Sequence, residues 1–364
     1  MFNLFKKKKE SSNGAQYISL KIREIVKEAK DTVTLYFEQP EPFLDYKAGQ
    51  YLTVILDFNG KEERRSYSLC TSPFVDPYPG ITVKRVEGGL VSNYLNEQLR
   101  PGKTLDIMKP MGNFTTTYHS KNERHFVMVA GGSGITPIMG ITKSVLVNEP
   151  QSKVTLLYCS RSEEEIIFKN QLEALALQYE GRLTVIHNLS QPSTNWTGLK
   201  GRLDTGRIQE VLKDKIGSSS VYYLCGPEGL MNSAASAMKT LGVAEESIHR
   251  ESFYVNLDAK EKDLKAAGKL APELTREVEV IVEGESHYFD VPAGQTILEA
   301  GLDHDVDMPY SCQSGLCTAC RGRLLSGQVD MIEDAGLSKS EIEEGYILCC
   351  SSKPASSDIK IIIE

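Results

Sequence analysis

Three cysteines spaced Cys312-x4-Cys317-x2-Cys320, with a fourth at Cys350 far downstream, constrain this chain more than any other feature. A [2Fe–2S] cluster takes four thiolates, and this pattern offers three from one tight loop and one from a distant strand. The loop reads Ser311-Cys312-Gln313-Ser314-Gly315-Leu316-Cys317-Thr318-Ala319-Cys320. Its small residues and glycine let backbone amides approach the sulfides and stabilise the cluster's negative charge. A zinc site or unrelated thiols is the competing reading, but structural zinc usually takes paired C-x2–4-C knuckles.

The segment resembles plant-type ferredoxins, and the likeness extends to Gly345-Tyr346-Ile347-Leu348-Cys349-Cys350, similar to the strand that carries that family's fourth ligand. Of the two adjacent cysteines, the family spacing favours Cys350, and strand alternation points Cys349 to the opposite face. The ferredoxin-like part, expected as a β-grasp domain, spans residues 276–364. Most of the chain lies upstream of it.

A length of 364 residues predicts two or three domains, and 40% hydrophobic with 25% charged residues is an ordinary composition. No apolar run approaches a membrane span, and Met1-Phe2-Asn3-Leu4-Phe5-Lys6-Lys7-Lys8-Lys9 lacks the apolar core of a signal peptide. A cytoplasmic protein is expected, with residues 1–15 as a disordered, solvated tail. The net charge of −8 argues against nucleic acid as a partner. Eight cysteines, five of them from Cys312 onward, make a poor disulfide framework and suit a reducing compartment.

Upstream of the cysteine loop the chain changes character twice. Residues 16–118 hold short alternating runs, such as Ile18 to Arg23, Val33 to Phe37 and Tyr51 to Leu56, separated by Pro and Gly turns. That pattern predicts an antiparallel β-barrel. Over residues 119–255, apolar strands (His125 to Ala130, Val154 to Tyr158, Leu183 to Ile186, Val221 to Leu224) alternate with helical stretches. This predicts an α/β domain with a parallel sheet. The polar stretch 256–275 reads as an interdomain linker.

In the barrel, Arg64-Arg65-Ser66-Tyr67-Ser68-Leu69 puts Arg65, Tyr67 and Leu69 on one strand face, suited to stacking a flat ring and binding its polar edge. An ordinary barrel strand explains the motif as well. Downstream, Lys84 and Arg85 lead through Gly88-Gly89 to Ser92, where a helix start with nearby cations makes an anion site. A turn with Ser92 as simple N-cap is the alternative.

The parallel domain opens with Gly131-Gly132-Ser133-Gly134-Ile135-Thr136-Pro137, running from a strand into a predicted helix Ile138 to Val147. Glycines let backbone approach a pyrophosphate, and the helix start favours its charge, although the loop is not the G-x-G-x-x-G fingerprint and a simple tight turn is the alternative. Near the end of the sheet, Cys225-Gly226-Pro227 again turns strand into helix, with Cys225 at the carboxyl end where open α/β sheets bind ligands. A lone Cys is more often a small buried hydrophobe.

Taken in order, these segments resemble the ferredoxin–NADP reductase superfamily. The resemblance implies that Arg65, Tyr67 and Ser68 hold flavin, that Gly88, Gly89 and Ser92 hold its phosphate, and that Gly131, Gly132, Gly134 and Thr136 hold the nicotinamide nucleotide. It also implies that Cys225, Gly226 and Pro227 lie beside the reactive carbon, and that Glu251 and Phe253 sit beside the flavin, with Glu251 balancing charge or proton. A surface strand is the alternative for Glu251. A reductase module followed by a ferredoxin module is similar to the reductases that serve oxygenases and phenylacetyl-CoA epoxidase.

Nicotinamide gives up two electrons as a hydride, whereas non-haem iron oxygenases take electrons singly, and flavin converts between the two. The expected path runs from nucleotide through flavin and cluster to a partner protein. No H-E-x-x-H, G-x-S-x-G or P-loop is present to suggest hydrolysis or phosphoryl transfer. After the second sheet strand, Ser160 and Arg161 stand where an NAD-selective enzyme places a carboxylate, so NADPH is expected over NADH, with Arg161 as a solvated loop charge the competing reading. FAD is expected over FMN from the resemblance. Asp303, Asp305, Asp307, Glu333 and Asp334 are candidates for docking a basic patch on the acceptor, and a solvated acidic face explains them as well. An iron–sulfur redox sensor and an autonomous reductase of small acceptors are the readings from other classes.

Overall fold

Period-two alternation builds the first module of the computed structural model, which describes residues 17–363. The expected tail lies outside the described residues. Six antiparallel strands stand side by side in the order Lys61–Ser68, Tyr51–Phe58, Thr104–Met111, Tyr17–Ala29, Thr32–Phe37 and Gly80–Lys84. A bridge between Leu69 and Ile81 returns the chain from the first edge to the last and closes the barrel. Leu20, Ile22, Leu35, Phe37, Leu52 and Val54 fill its interior.

The second module is a six-stranded parallel sheet, ordered Leu199–Lys200, Leu183–Leu189, Lys153–Ser160, His125–Gly131, Ser220–Cys225 and Ile248–Glu251. Its central strands are nearly all apolar because separate cores cover both faces. The first helix is longer than predicted, Ile135–Asn148 rather than Ile138 to Val147, and a single 3-10 turn over Gly132–Gly134 precedes it. The turns after the strands His125–Gly131 and Ser220–Cys225 press together. A Cβ on Gly134 would stand 2.2 Å from the Cys225 carbonyl oxygen, and one on Gly226, at φ +150°, 2.8 Å from the Gly131 nitrogen. Glycine is required here by close backbone approach at the switch point of the sheet.

The third module is a five-stranded mixed sheet in the order Glu285–Val291, Arg276–Val282, Ile359–Ile363, Arg321–Ser326 and Tyr346–Leu348. Arg276–Val282 and Ile359–Ile363 run parallel and the other pairs antiparallel. The helix Ile297–Asp303, started by a Thr296/Glu299 capping box, covers one face and gives the β-grasp arrangement.

The stretch read as a linker carries a helix, Leu257–Ala266, whose N-cap Asn256 accepts a hydrogen bond from the Ala259 amide. It buries none of its residues, as expected of a stretch without an apolar face, yet it is pinned. Lys353 pairs with Glu261 at 2.6 Å and with Glu273 at 3.2 Å, and Lys260 pairs with Glu333 at 3.0 Å. Sequence polarity suggested free chain, whereas ion pairing orders the helix against the third module.

Candidate functional site

The strand Lys61–Ser68 ends at a cavity of about 530 Å³ walled by all three modules. The barrel contributes Arg64, Arg65, Ser66, Tyr67, Ser68, Lys84, Gly89 and Ser92, and the glycine turn of the parallel sheet contributes Ser133 and Thr136. Glu251, Ser252 and Phe253 enter from the last parallel strand and the chain beyond it. The cysteine loop closes the wall with Cys312, Ser314, Leu316 and Cys317. Residues as far apart in the chain as Arg64 and Cys317 therefore share one chamber.

Within it, the Tyr67 hydroxyl is pushed up to about 12 by burial and stays a neutral donor. Glu251 is half-buried, and its removal from water pushes the carboxyl up to about 8, opposed by a hydrogen bond from the Ser68 hydroxyl at 3.4 Å. A protonated carboxyl at neutral pH is a proton donor beside the flavin-type residues. Phe253 is 47% exposed at the cavity rim.

Ser92 does not cap the adjacent helix, which spans Leu90–Glu97 with Gly89 as N-cap. Its hydroxyl instead accepts from the Val86 amide at 3.1 Å and pins the Gly88-Gly89 turn from inside the helix. Arg85 and Gly88 line a second cleft, of about 790 Å³, together with Lys30, Glu165 and Arg161. Lys84 lines both spaces. No carboxylate was expected next to Arg161. Glu165 supplies one, 3.9 Å from Arg161 and 2.8 Å from Lys84.

Cys225 departs from expectation. It lines neither space, its side chain is fully buried, and burial holds its thiol well above the ordinary range. In the parallel ladder it stands opposite Glu251. Gly131, Gly132, Gly134, Gly226 and Pro227 likewise lie outside both linings and shape the turns behind them. The Gly132 carbonyl is held by the Tyr158 hydroxyl at 3.1 Å, and the Thr136 hydroxyl donates to the Ser133 carbonyl at 2.9 Å. At the carboxyl ends of the neighbouring strands, Ser160 Oγ and Asn188 Oδ1 are buried without hydrogen-bond partners. Orphan polar atoms there fit a nucleotide that would satisfy them.

The cysteine loop fits a cluster through its amides. Ser314 donates its amide to Cys312 Sγ at 3.4 Å, Gly315 to Cys350 Sγ at 3.3 Å, and Cys350 to Cys320 Sγ at 3.4 Å. Gly315 needs its φ of +72°, and a Cβ on it would strike Glu333 at 2.6 Å. Cys349 is fully buried in the apolar core and stands outside these contacts. Among the described residues no three His, Cys, Asp or Glu side chains are grouped to hold a single ion. The neighbouring Glu333 is buried against Lys260, so it drops out of the acidic face, whose Asp303, Asp305, Asp307 and Asp334 are exposed.

Sequence reading missed Arg64, Ser66, Ser133, Ser252 and Glu165. Alternation assigned one strand face to the site, but the cavity wraps around the strand end. The (i, i+4) spacing of Arg161 and Glu165 was the available signal for the last.

An open chamber with flavin-type, nucleotide-type and thiolate residues in its walls defines a multidomain redox protein. The chain matches the oxidoreductase FAD-binding domain over residues 19–116, the oxidoreductase NAD-binding domain over residues 128–236, and the 2Fe-2S iron-sulfur cluster binding domain over residues 280–355. It is 31% identical over 360 residues to a 1,2-phenylacetyl-CoA epoxidase component from Escherichia coli (strain K12), covering 94% of this chain and 96% of that protein. It is 33% identical to the ferredoxin reductase component of 3-ketosteroid-9-alpha-monooxygenase from Rhodococcus rhodochrous, covering 97% and 98%. Phthalate dioxygenase reductase, a modular structure for electron transfer from pyridine nucleotides to [2Fe–2S], superposes with a TM-score of 0.58 at 25% identity, covering 95% of this chain and 98% of that one. The chain belongs to this family of oxygenase-type reductases that join FAD-binding, NAD-binding and [2Fe–2S] domains. Among the described residues no helix is long and apolar enough to cross a membrane.

Proposed function

We propose that this chain takes a hydride from a nicotinamide nucleotide onto FAD and delivers its electrons singly, through the [2Fe–2S] cluster, to a terminal oxygenase. The observation that carries this reading is the shared cavity, in which Tyr67, Ser68 and Glu251 face Cys312 and Cys317. Arg65, Tyr67 and Ser68 hold the flavin ring, while Lys84, Arg85, Gly88, Gly89 and Ser92 hold its phosphates. The Gly131 to Thr136 turn and Ser160 take the nucleotide, and Cys312, Cys317, Cys320 and Cys350 ligate the cluster. Glu251 and Phe253 flank the reacting rings, and Glu251 stores or supplies the proton that accompanies the hydride.

NADPH is the favoured donor. Arg161 is 67% exposed, and a separation of 3.9 Å from Glu165 leaves its donors open to a 2′-phosphate. Dependence on cluster thiolates suits a reducing cytoplasm. The exposed Asp303, Asp305 and Asp307 offer the oxygenase an acidic face. Replacement Cys320→Ser tests the path. The variant should lose the cluster's visible absorption and all electron delivery to the oxygenase while retaining flavin and NADPH–ferricyanide activity. Undiminished delivery without the cluster would refute it.

A further inference from the structure

The hairpin formed by Tyr51–Phe58 and Lys61–Ser68 is two-sided, with one face turned to the barrel core and the other to the cysteine loop. Leu52 and Val54, opposite Tyr67 and Arg65 in the ladder, turn into the barrel core. Tyr51, Thr53, Arg64 and Ser66 occupy the alternate positions and so point outward. On a lone barrel that outer face would be wet. Here Thr53 is wholly buried and Arg64 is only 8% exposed, because the cysteine loop lies on them. The Ser311 hydroxyl stands 2.8 Å from Thr53 Oγ1 and 2.6 Å from Ser66 Oγ. The Arg64 guanidinium donates to the Tyr310 carbonyl at 2.9 Å and lies 4.0 Å from the centroid of the Tyr310 ring. On the far side of the loop, the Thr318 amide donates to the Tyr51 hydroxyl at 3.4 Å, and Tyr51 packs with Cys317 and Ala319.

We propose that this outer face is a clasp, with Tyr310 and Ser311 as positioning residues that hold the cluster loop in register with the flavin cavity for electron transfer within the chain. Buried hydroxyls and a buried guanidinium whose partners come from another module fix one orientation, since any other arrangement leaves them unsatisfied. The arrangement couples two sites through one strand. Arg64 and Ser66, which grip the cluster loop, alternate along it with Arg65 and Tyr67, and all four line the shared cavity. The step served makes and breaks no bond: one electron would pass from reduced flavin to oxidised cluster, and the hydride's second electron would follow by the same route once the acceptor protein has taken the first from the cluster. The inference rests on the electron path proposed above.

The test uses the full, cofactor-loaded chain with Tyr310→Leu and Ser311→Val, separately and together, and with Tyr310→Phe as the conservative control. Neither residue lines the flavin cavity. On anaerobic mixing with NADPH, flavin reduction should proceed at the parent rate while cluster reduction slows by about tenfold or more, as expected when reacting groups lose orientation. The cluster's absorption and electron paramagnetic resonance spectra should be unchanged. Amide exchange should rise across residues 310–318 and in the hairpin, and Tyr310→Phe should behave as the parent. Cluster reduction at the parent rate in the double variant would overturn the clasp, and so would slowing accompanied by an altered cluster spectrum. Failure of the underlying path looks different, because the parent's own cluster would then stay oxidised.

Discussion

Glu251 is the side chain on which pH should act most visibly. Between 4.5 and about 8 the folded chain holds a proton that the unfolded chain has released, so stability falls as pH rises through that window. Glu251→Gln should flatten the slope of melting temperature against pH there. The same substitution should remove any limb near pH 8 from the rate of flavin reduction, leaving nucleotide binding nearly unchanged. Arg161 and Glu165 make a second residue-scale case. Arg161→Ala should weaken NADPH binding by about ten- to a hundredfold, the worth of a charge-assisted contact, while sparing NADH. Glu165→Gln should strengthen NADPH binding, because a carboxylate 3.9 Å from the guanidinium opposes a phosphate. Titration of both nucleotides against both variants checks this. Equal effects on NADH would remove Arg161 from 2′-phosphate recognition.

Among elements, the two glycine turns of the parallel sheet carry the tightest packing. Gly134→Ala would drive a methyl into the Cys225 carbonyl and should cost about 1–3 kcal/mol by denaturant unfolding. Gly229→Ala, at an exposed helical position with nothing within 4 Å, should stabilise by about 0.5–1 kcal/mol and serves as the contrast. Elements of this kind were legible from the sequence because their signals are local: period-two runs, apolar parallel strands, glycines between strand and helix. The helix Leu257–Ala266 was not, since its order comes from ion pairs to Glu333, Lys353 and Glu273 rather than from an apolar face. Ser92 misled for a similar reason: a hydroxyl near a helix start suggests a cap, and only geometry reveals that it bonds backward to Val86. The cysteine loop was the most legible part of the site. Arg64 and Ser66 were invisible as site residues because the residues they grip lie in another module, with 245 positions separating Ser66 from Ser311.

Across the whole molecule, three modules with their own cores meet at one cavity, so the order of the domains along the chain becomes an order of carriers in space. Turning a two-electron donor into a one-electron supply needs a converter between them, and linking the modules covalently raises the effective concentration of cluster near flavin. Rapid anaerobic mixing of the loaded chain with NADPH, followed at the separate flavin and cluster absorption bands, tests that order most directly. The flavin band should bleach first and the cluster band should follow, at a rate independent of protein concentration. A cluster that remains oxidised beside reduced flavin, or that is reduced faster as the protein is concentrated, would contradict electron transfer within the chain.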